Sequence, residues 1–217
     1  MKKSILYIDA CARSNSRTRR LAESVLSCLD GTVTHLNLYE ESLYPVDENA
    51  ILQREQCVSC GSCEPDHLKY AKLFAAADEI IIAAPYWDLS FPSLLKVFME
   101  NVTVIGVTFA YTEQGEPYGL CRANRLIYVT TAGGDILDDS FGFGYIRALC
   151  NRFYGIHETE YLRAQRLDLV GENPESILQA AMDEASRRFG DGTHYEHATL
   201  FEPTAEEEQT ENIICLN

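Results

Sequence analysis

The strongest constraint in this chain is the alternation of two hydrophobic periods along its length. Short, almost continuous apolar runs recur at "SILYI" (Ser4–Ile8), "EIIIAAP" (Glu79–Pro85) and "RLIYVTTAGG" (Arg125–Gly134). A strand without a polar face must be covered on both sides, which is the pattern of a parallel sheet. Between these runs lie segments with apolar residues at helical spacing. They are "TRRLAESVLSCL" (Thr18–Leu29), "HLKYAKLFAAA" (His67–Ala77), "PSLLKVFMENV" (Pro92–Val102), "GYIRALCNRFYG" (Gly144–Gly155) and "NPESILQAAMDEASRRFG" (Asn173–Gly190). Pro92 suits the first turn of its helix. Asn173 reads as a cap and Gly190 as a terminator. "TVTHLNL" (Thr32–Leu38) alternates as a half-covered strand does, and a weaker strand is expected within Ile156–Ala164. The stretch carrying Pro45 and a cysteine run reads as irregular.

Strands that alternate with helices imply crossover connections and helices on both faces of the sheet. Five strands fit the three-layer arrangement with order 2-1-3-4-5, in which ligands sit outside the carboxyl ends where the order reverses. The loops after the first, third and fourth strands are therefore where chemistry is expected. At 217 residues the chain is most economically one domain. We place that domain at residues 1–201, with a tail at 202–217 that has acidic residues and no Lys or Arg. Its apolar tip, "IICL", is a candidate contact with a neighbouring subunit. A net charge of −15 argues against nucleic acid or an anionic membrane as partner. No apolar run approaches the ~20 residues of a membrane helix, and "MKKSILYIDAC" lacks the long apolar centre of a signal peptide. Eight cysteines are too sparse for a disulfide scaffold. Reduced thiols and a cytoplasmic location are the expectation.

The first loop, "ACARSNSRTRRLAE", brings Ser14, Ser16 and Thr18 together with Arg13, Arg17, Arg19 and Arg20 where a helix begins. Helix N-termini bind anions, and arginines there oppose the helix dipole unless a negative group lies among them. A phosphate site is the favoured reading; a Ser-capped helix with a solvated arginine face is the other. Neither a G-x-G-x-x-G nor a G-x-x-x-x-G-K-[ST] pattern is present. The second loop, "APYWDLSFPSLLK", offers Tyr86 and the single tryptophan, Trp87, to a planar heterocycle. The third, "TTAGGD", has two glycines that allow close backbone approach. One phosphate loop beside two ring-contacting loops describes a mononucleotide with a large flat ring, and FMN fits best.

The stretches "SNSRTRRLAE", "AAPYWDLSFPSLLKVFMENV", "GVTFAYTEQGEPYGL" and "IYVTTAGG" resemble the flavodoxin-like NAD(P)H:quinone reductases and FMN-dependent azoreductases. The resemblance runs over about residues 4–165, and its most specific part is the insert Gly106–Gly115, which simple flavodoxins lack. It implies that Cys11, Ser16, Arg17 and Thr18 surround the FMN phosphate and ribityl chain. Pro85, Tyr86, Trp87 and Asp88 would line the isoalloxazine, and Thr131, Ala132, Gly133 and Gly134 would face its other sides. The implied reaction moves two electrons from NAD(P)H to a small acceptor (quinone, azo or nitro compound) by a ping-pong route, with no side chain assigned as catalytic acid or base. FMN is preferred to FAD. The resemblance also implies a homodimer in which Phe109 or Tyr111 reaches the partner's substrate slot. Alternatively these side chains pack on their own sheet. Cys11 stands where serine is common and Ala132 where the best-known azoreductases have arginine, which leaves the acceptor open.

Two rival readings stand beside that one. Strong acidity suits an electron carrier that docks on basic proteins. "CVSCGSC" places Cys57, Cys60 and Cys63 at the spacing of an iron–sulfur flavoprotein. A closed site needs four ligands, and only His67 follows nearby. The expectation is therefore no cluster and no zinc, with flavin as the sole redox centre.

Overall fold

The computed structural model describes residues 2–60 and 68–190, the side chain of Cys60 excepted. Cys63, His67, the tail 202–217 and the domain boundary at 201 lie outside the described residues. Five parallel strands form the sheet: β1 (Lys3–Asp9), β2 (Gly31–Asn37), β3 (Glu79–Ala83), β6 (Arg125–Thr131) and β7 (Glu158–Ala164). Their order is β2-β1-β3-β6-β7, the expected 2-1-3-4-5 once the two short strands of an inserted hairpin are numbered. That hairpin is β4 (Phe109–Tyr111) with β5 (Pro117–Gly119), paired antiparallel.

Alternate residues of β1 serve opposite layers, as the period of two demands. Leu6 and Ile8 pack with Phe74, Leu95, Phe98 and Tyr128. These come from α3 (Lys69–Ala76), α4 (Ser93–Val102) and β6, on the side also covered by α5 (Phe143–Leu149). Ile5 and Tyr7 face the other way, toward Leu21, Val25, Leu178 and Phe189. Those belong to α1 (Arg17–Leu26) and α6 (Pro174–Phe189). The three central strands are thus sealed on both faces, and Ile80, Ile81 and Ile82 of β3 are fully buried. The side chain of Asn173 accepts the N–H groups of Glu175 and Ser176, Pro174 opens the helix, and Gly190 ends it. Both ends of α6 lie where the sequence puts them.

Two carboxylates buried in the sheet are paired, whereas the hydroxyl of Tyr7 on β1 has no hydrogen-bond partner among the described residues. Glu79 is 2% exposed at the amino end of β3 and accepts from Arg125 Nε at 2.7 Å, its register partner on β6. Asp9 is fully buried at the opposite, carboxyl end of β1. Two elements depart from the sequence reading. Glu48–Cys60 is a helix, α2, rather than irregular chain. It carries no clean apolar stripe and exposes Ile51, Leu52 and Val58, so periodicity gave no signal. Cys57 on this helix is disulfide-bonded, which corrects the expectation of a reduced thiol at that position and removes its sulfur from any ligand set in this structure, whereas Cys11, Cys28, Cys121 and Cys150 are free.

The second departure is at the end of α5, where the helix widens into a π-turn over Cys150–Tyr154 and stops at Gly155 with φ 73°. The hairpin docks here. A Cβ on Gly119 would lie 2.1 Å from the carbonyl carbon of Tyr154 and 2.2 Å from the nitrogen of Gly155. Backbone cannot yield as a side-chain tip can. Gly119→Ala is therefore expected to destabilise the protein by about 3 kcal/mol, at the upper end of ordinary overpacking. Urea denaturation of the variant beside the parent measures it, and an unchanged midpoint would contradict the contact.

Candidate active site

The loops that follow β1, β3 and β6 lie side by side because the strand ladder continues past the strand ends. Ala10 N donates to Ala83 O at 2.8 Å, Ala84 N to Val129 O at 3.0 Å and Tyr86 N to Thr131 O at 2.9 Å. On the far side, Ala132 N donates to Ala164 O at 2.9 Å and Asp168 N to Gly133 O at 2.9 Å. First and third loops are clasped by the hydroxyls of Thr18 and Thr131, 2.6 Å apart and buried.

In the first loop Ser16 caps α1, its hydroxyl accepting from Arg19 N at 3.3 Å. From Ala12 to Thr18, no peptide N–H has an acceptor among the described residues. A run of N–H groups without acceptors that ends in a helix start has the make-up of an anion nest. The arginines have a different explanation from the one the sequence suggested. Arg17 donates to Asp168 Oδ1 at 2.8 Å and to Leu167 O at 3.1 Å. Arg20 makes a forked pair with Glu175 at 3.0 and 2.8 Å. Arg19 Nε reaches Asp9 Oδ2 at 2.6 Å, and its remaining nitrogens take the carbonyls of Cys11, Arg13 and Ser14. Three of these guanidiniums are neutralised by the chain itself. What remains without a partner among the described residues is the backbone.

Burial alone would raise the pKa of Asp9, but hydrogen bonds from His35, Arg19 and Cys11 outweigh it and hold the carboxyl below the usual range. Cys11 is buried, with its thiol 3.8 Å from Ala83 O. Burial, then the charge of Asp9, push that thiol far up, so it stays protonated and meets any ligand as a small neutral group. Thr18 is likewise 1% exposed. Its side chain holds Thr131, leaving its N–H to the nest.

The second loop turns back on itself, with Trp87 and Ser90 exchanging hydrogen bonds of 2.9 and 2.8 Å. Its central residues, Asp88 and Leu89, have φ of 50° and 68°. Two consecutive left-handed residues make a primed turn, a geometry that favours Asn and Gly. The strain is held by Ser90 Oγ donating to Phe141 O at 2.5 Å and by Tyr86 Oη donating to Asp138 O at 3.0 Å. The turn leaves Trp87 40% exposed beside Leu89, with Leu137 and Phe141 also exposed on the third loop. There, Gly133 is confined because a Cβ would meet Asp168 Oδ2 at 2.4 Å, whereas Gly134 faces open space. The N–H groups of Gly133 and Gly134 have no acceptor among the described residues.

Phe109 and Tyr111 do not join this group. Parallel topology makes α4 carry the chain back to the amino ends of the strands. The hairpin leaves from there, with Arg122 N bonded to Ala75 O at 2.9 Å and Asn124 N to Asp78 O at 3.4 Å. Phe109 is 5% exposed and packs edge-on against Phe153 with centroids 4.9 Å apart. Tyr111 is 49% exposed. The fold also has two cavities, the first of which touches the third loop at Asp139. One of about 600 Å³ separates β7 from α6, between Tyr161, Arg163 and Arg187. The other, about 380 Å³, lies among Ile51, Arg54, Met99 and Tyr145.

Residues 3–189 match the model of a family described as having a flavodoxin-like fold, Flavodoxin_2. FMN-dependent NADH:quinone oxidoreductase 2 of Clostridium acetobutylicum is 34% identical over 197 residues, covering 85% of this chain and 96% of the relative. FMN-dependent NADH:quinone oxidoreductase of Clostridium beijerinckii is 38% identical over 195 residues, with 83% and 95% covered. Among solved structures, an azoreductase from Bacillus anthracis strain Sterne superposes with a TM-score of 0.73 at 22% identity, covering 85% of this chain and 97% of that one. An FMN-dependent NADH-azoreductase from Bacillus anthracis strain Ames Ancestor, solved with FMN, gives 0.69 at 24%, with 85% and 96% covered. The structural likenesses establish the fold alone.

The strained turn generates its own test. Replacing Asp88 by Asn and Leu89 by Gly supplies residues that accept positive φ. It is expected to raise stability by about 1 kcal/mol, the order of the left-handed penalty removed. Thermal unfolding of the double variant measures this; a lowered midpoint would mean that the Leu89 side chain contributes more than the strain removes.

Proposed function

The chain belongs to the flavodoxin-like family that includes the FMN-dependent NADH:quinone oxidoreductases, and we propose that it passes two electrons from NADH or NADPH to a quinone, azo or nitro compound with FMN as cofactor. The observation that carries this reading is the unfilled run of N–H groups from Ala12 to Thr18 at the start of α1, next to the unfilled N–H groups of Gly133 and Gly134. A phosphate needs several converging donors, and a planar ring needs a flat apolar wall with donors at its polar edge. The first loop offers the one; Pro85, Tyr86, Trp87 and the two glycines offer the other. FMN fits this donor set without a further anion site, which FAD would require for its second phosphate.

When bound, the flavin supplies the electron chemistry. The chain's contribution is to hold and to polarise. The backbone of Ala12–Thr18 would bind the phosphate, with Cys11 as a neutral wall and Arg17 and Thr18 bracing the loop through their partners. Gly133 and Gly134 present fixed N–H dipoles, which favour negative charge wherever it develops against them. Asp88 lies on the turn that positions Trp87. Thr131 and Ala132 are 8% and 5% exposed and would support the loop that contacts the ring. No side chain is needed as acid or base. A single site that receives donor and acceptor in turn predicts ping-pong kinetics.

A homodimer with shared sites belongs to this reading. Tyr111, Tyr118, Leu120 and Ile105 are exposed on and around the hairpin, far from the exposed rim of Trp87, Leu89, Leu137 and Phe141 in the same chain. Two apolar surfaces at opposite ends of one sheet are covered if a second copy brings one against the other. Tyr111 would then reach the partner's site, with Phe109 packed behind it. The donor, a soluble reduced nicotinamide, argues for the cytoplasm.

The decisive measurement is mass spectrometry of the flavin released by heat, followed by steady-state turnover with NADH and menadione. FMN and parallel double-reciprocal lines are expected. Protein that takes up no flavin would overturn the proposal, and intersecting lines would overturn its kinetic part. A monomer with full activity at nanomolar concentration would exclude shared sites.

A further inference from the structure

We infer that Arg19 is the positioning residue of the anion nest: its guanidinium fixes the direction of the loop's peptide groups without itself binding the anion. This rests on the FMN reading above and names the residue that prepares the phosphate end of that site. The argument is geometric. In a trans peptide the C=O and the following N–H point in opposite directions. Arg19 Nη2 donates to Cys11 O at 3.0 Å, while Nη1 donates to Arg13 O at 3.0 Å and Ser14 O at 2.9 Å. Drawing these three carbonyls inward turns the N–H groups of Ala12, Ser14 and Asn15 outward. All three residues are exposed, and their N–H groups have no acceptor among the described residues.

The guanidinium is itself fixed from behind. Nε donates to Asp9 Oδ2 at 2.6 Å, and the other oxygen of that carboxylate accepts Cys11 N at 2.9 Å. One buried acid therefore holds both the entrance of the loop and the cation beneath it. With its nitrogens committed in this way and its side chain 19% exposed, Arg19 has little left to offer a ligand directly. Lysine could not replace it: a point charge lacks the planar fork that spans three carbonyls and a carboxylate. Arg20, the next residue, has none of these contacts and pairs with Glu175 on the surface.

The test compares FMN with riboflavin, which lacks the phosphate, by fluorescence titration of the flavin-free protein. The parent chain should prefer FMN. Arg19→Lys and Arg19→Gln should each lose about tenfold or more in FMN affinity, the order of one charge-assisted hydrogen bond to an anion, with riboflavin affinity unchanged. Arg20→Gln, which removes the same charge one residue on, should bind FMN as the parent does. Folded Arg19→Lys with parental FMN affinity would overturn the inference, and so would an equal loss for both flavins, which a merely structural role produces. Should the substitutions prevent folding, hydrogen exchange in the parent decides. FMN should slow exchange at Ala12, Ser14 and Asn15, and failure to protect these amides overturns the assignment. A parent chain with no preference for FMN over riboflavin would sink the flavin reading and this one together.

Discussion

A parallel sheet covered on both faces leaves its backbone polar groups no partners but one another, and the site is set by where that pairing ends. Ile80, Ile81 and Ile82 are fully buried, so no water reaches β3, and unmet N–H or C=O groups there would be costly. The ladder therefore runs on beyond the strands, through Ala84, Tyr86, Ala132 and Asp168, until the chain reaches solvent. At that boundary the loops keep N–H groups that nothing among the described residues satisfies. On the proposed reading, binding capacity here is a property of backbone rather than of side chains, which is why Cys11 and Ala132 can stand in it without loss of donors.

Much of this was legible in the sequence because the signals are local. Buried strands announce themselves as apolar runs, and Asn173, Pro174 and Gly190 mark the ends of α6 through hydrogen bonds that span only a few residues. The three loops follow from topology once the strands are placed. What sequence could not supply was partnership across the chain. Arg17 and Arg20 look like unpaired cations awaiting an anion, yet their carboxylates, Asp168 and Glu175, lie 151 and 155 residues away. Asp9 was visible as an acid after an apolar run, but nothing local connects it to Arg19.

The remaining differences are of the same kind. Glu48–Cys60 folds as a helix although polar and apolar residues are mixed around it, and its pattern carries no period to read. Phe109 and Tyr111 stand two apart on β4 and so share a face, their rings edge-on with centroids 5.5 Å apart; Phe109 also lies against Phe153 and is buried, while Tyr111 is half exposed. Alternation predicts the shared face; only the fold shows that the core takes Phe109 and leaves Tyr111 at its edge.

The clasp between Thr18 and Thr131 joins hydroxyls 113 positions apart, and the Arg17–Asp168 pair spans 151. On a ribosome, which releases the chain from its amino end, the first loop emerges long before the residues that brace it. Neighbouring β1 and β2 can meet early, yet the nest lacks its third-loop wall until β6 has emerged, and lacks Asp168 until β7 has been made. Sites assembled from such distant pieces form late, as non-local contacts generally do. A chain stalled or truncated before residue 168 would carry a sheet in the making and the whole first loop, but not the frame that closes it.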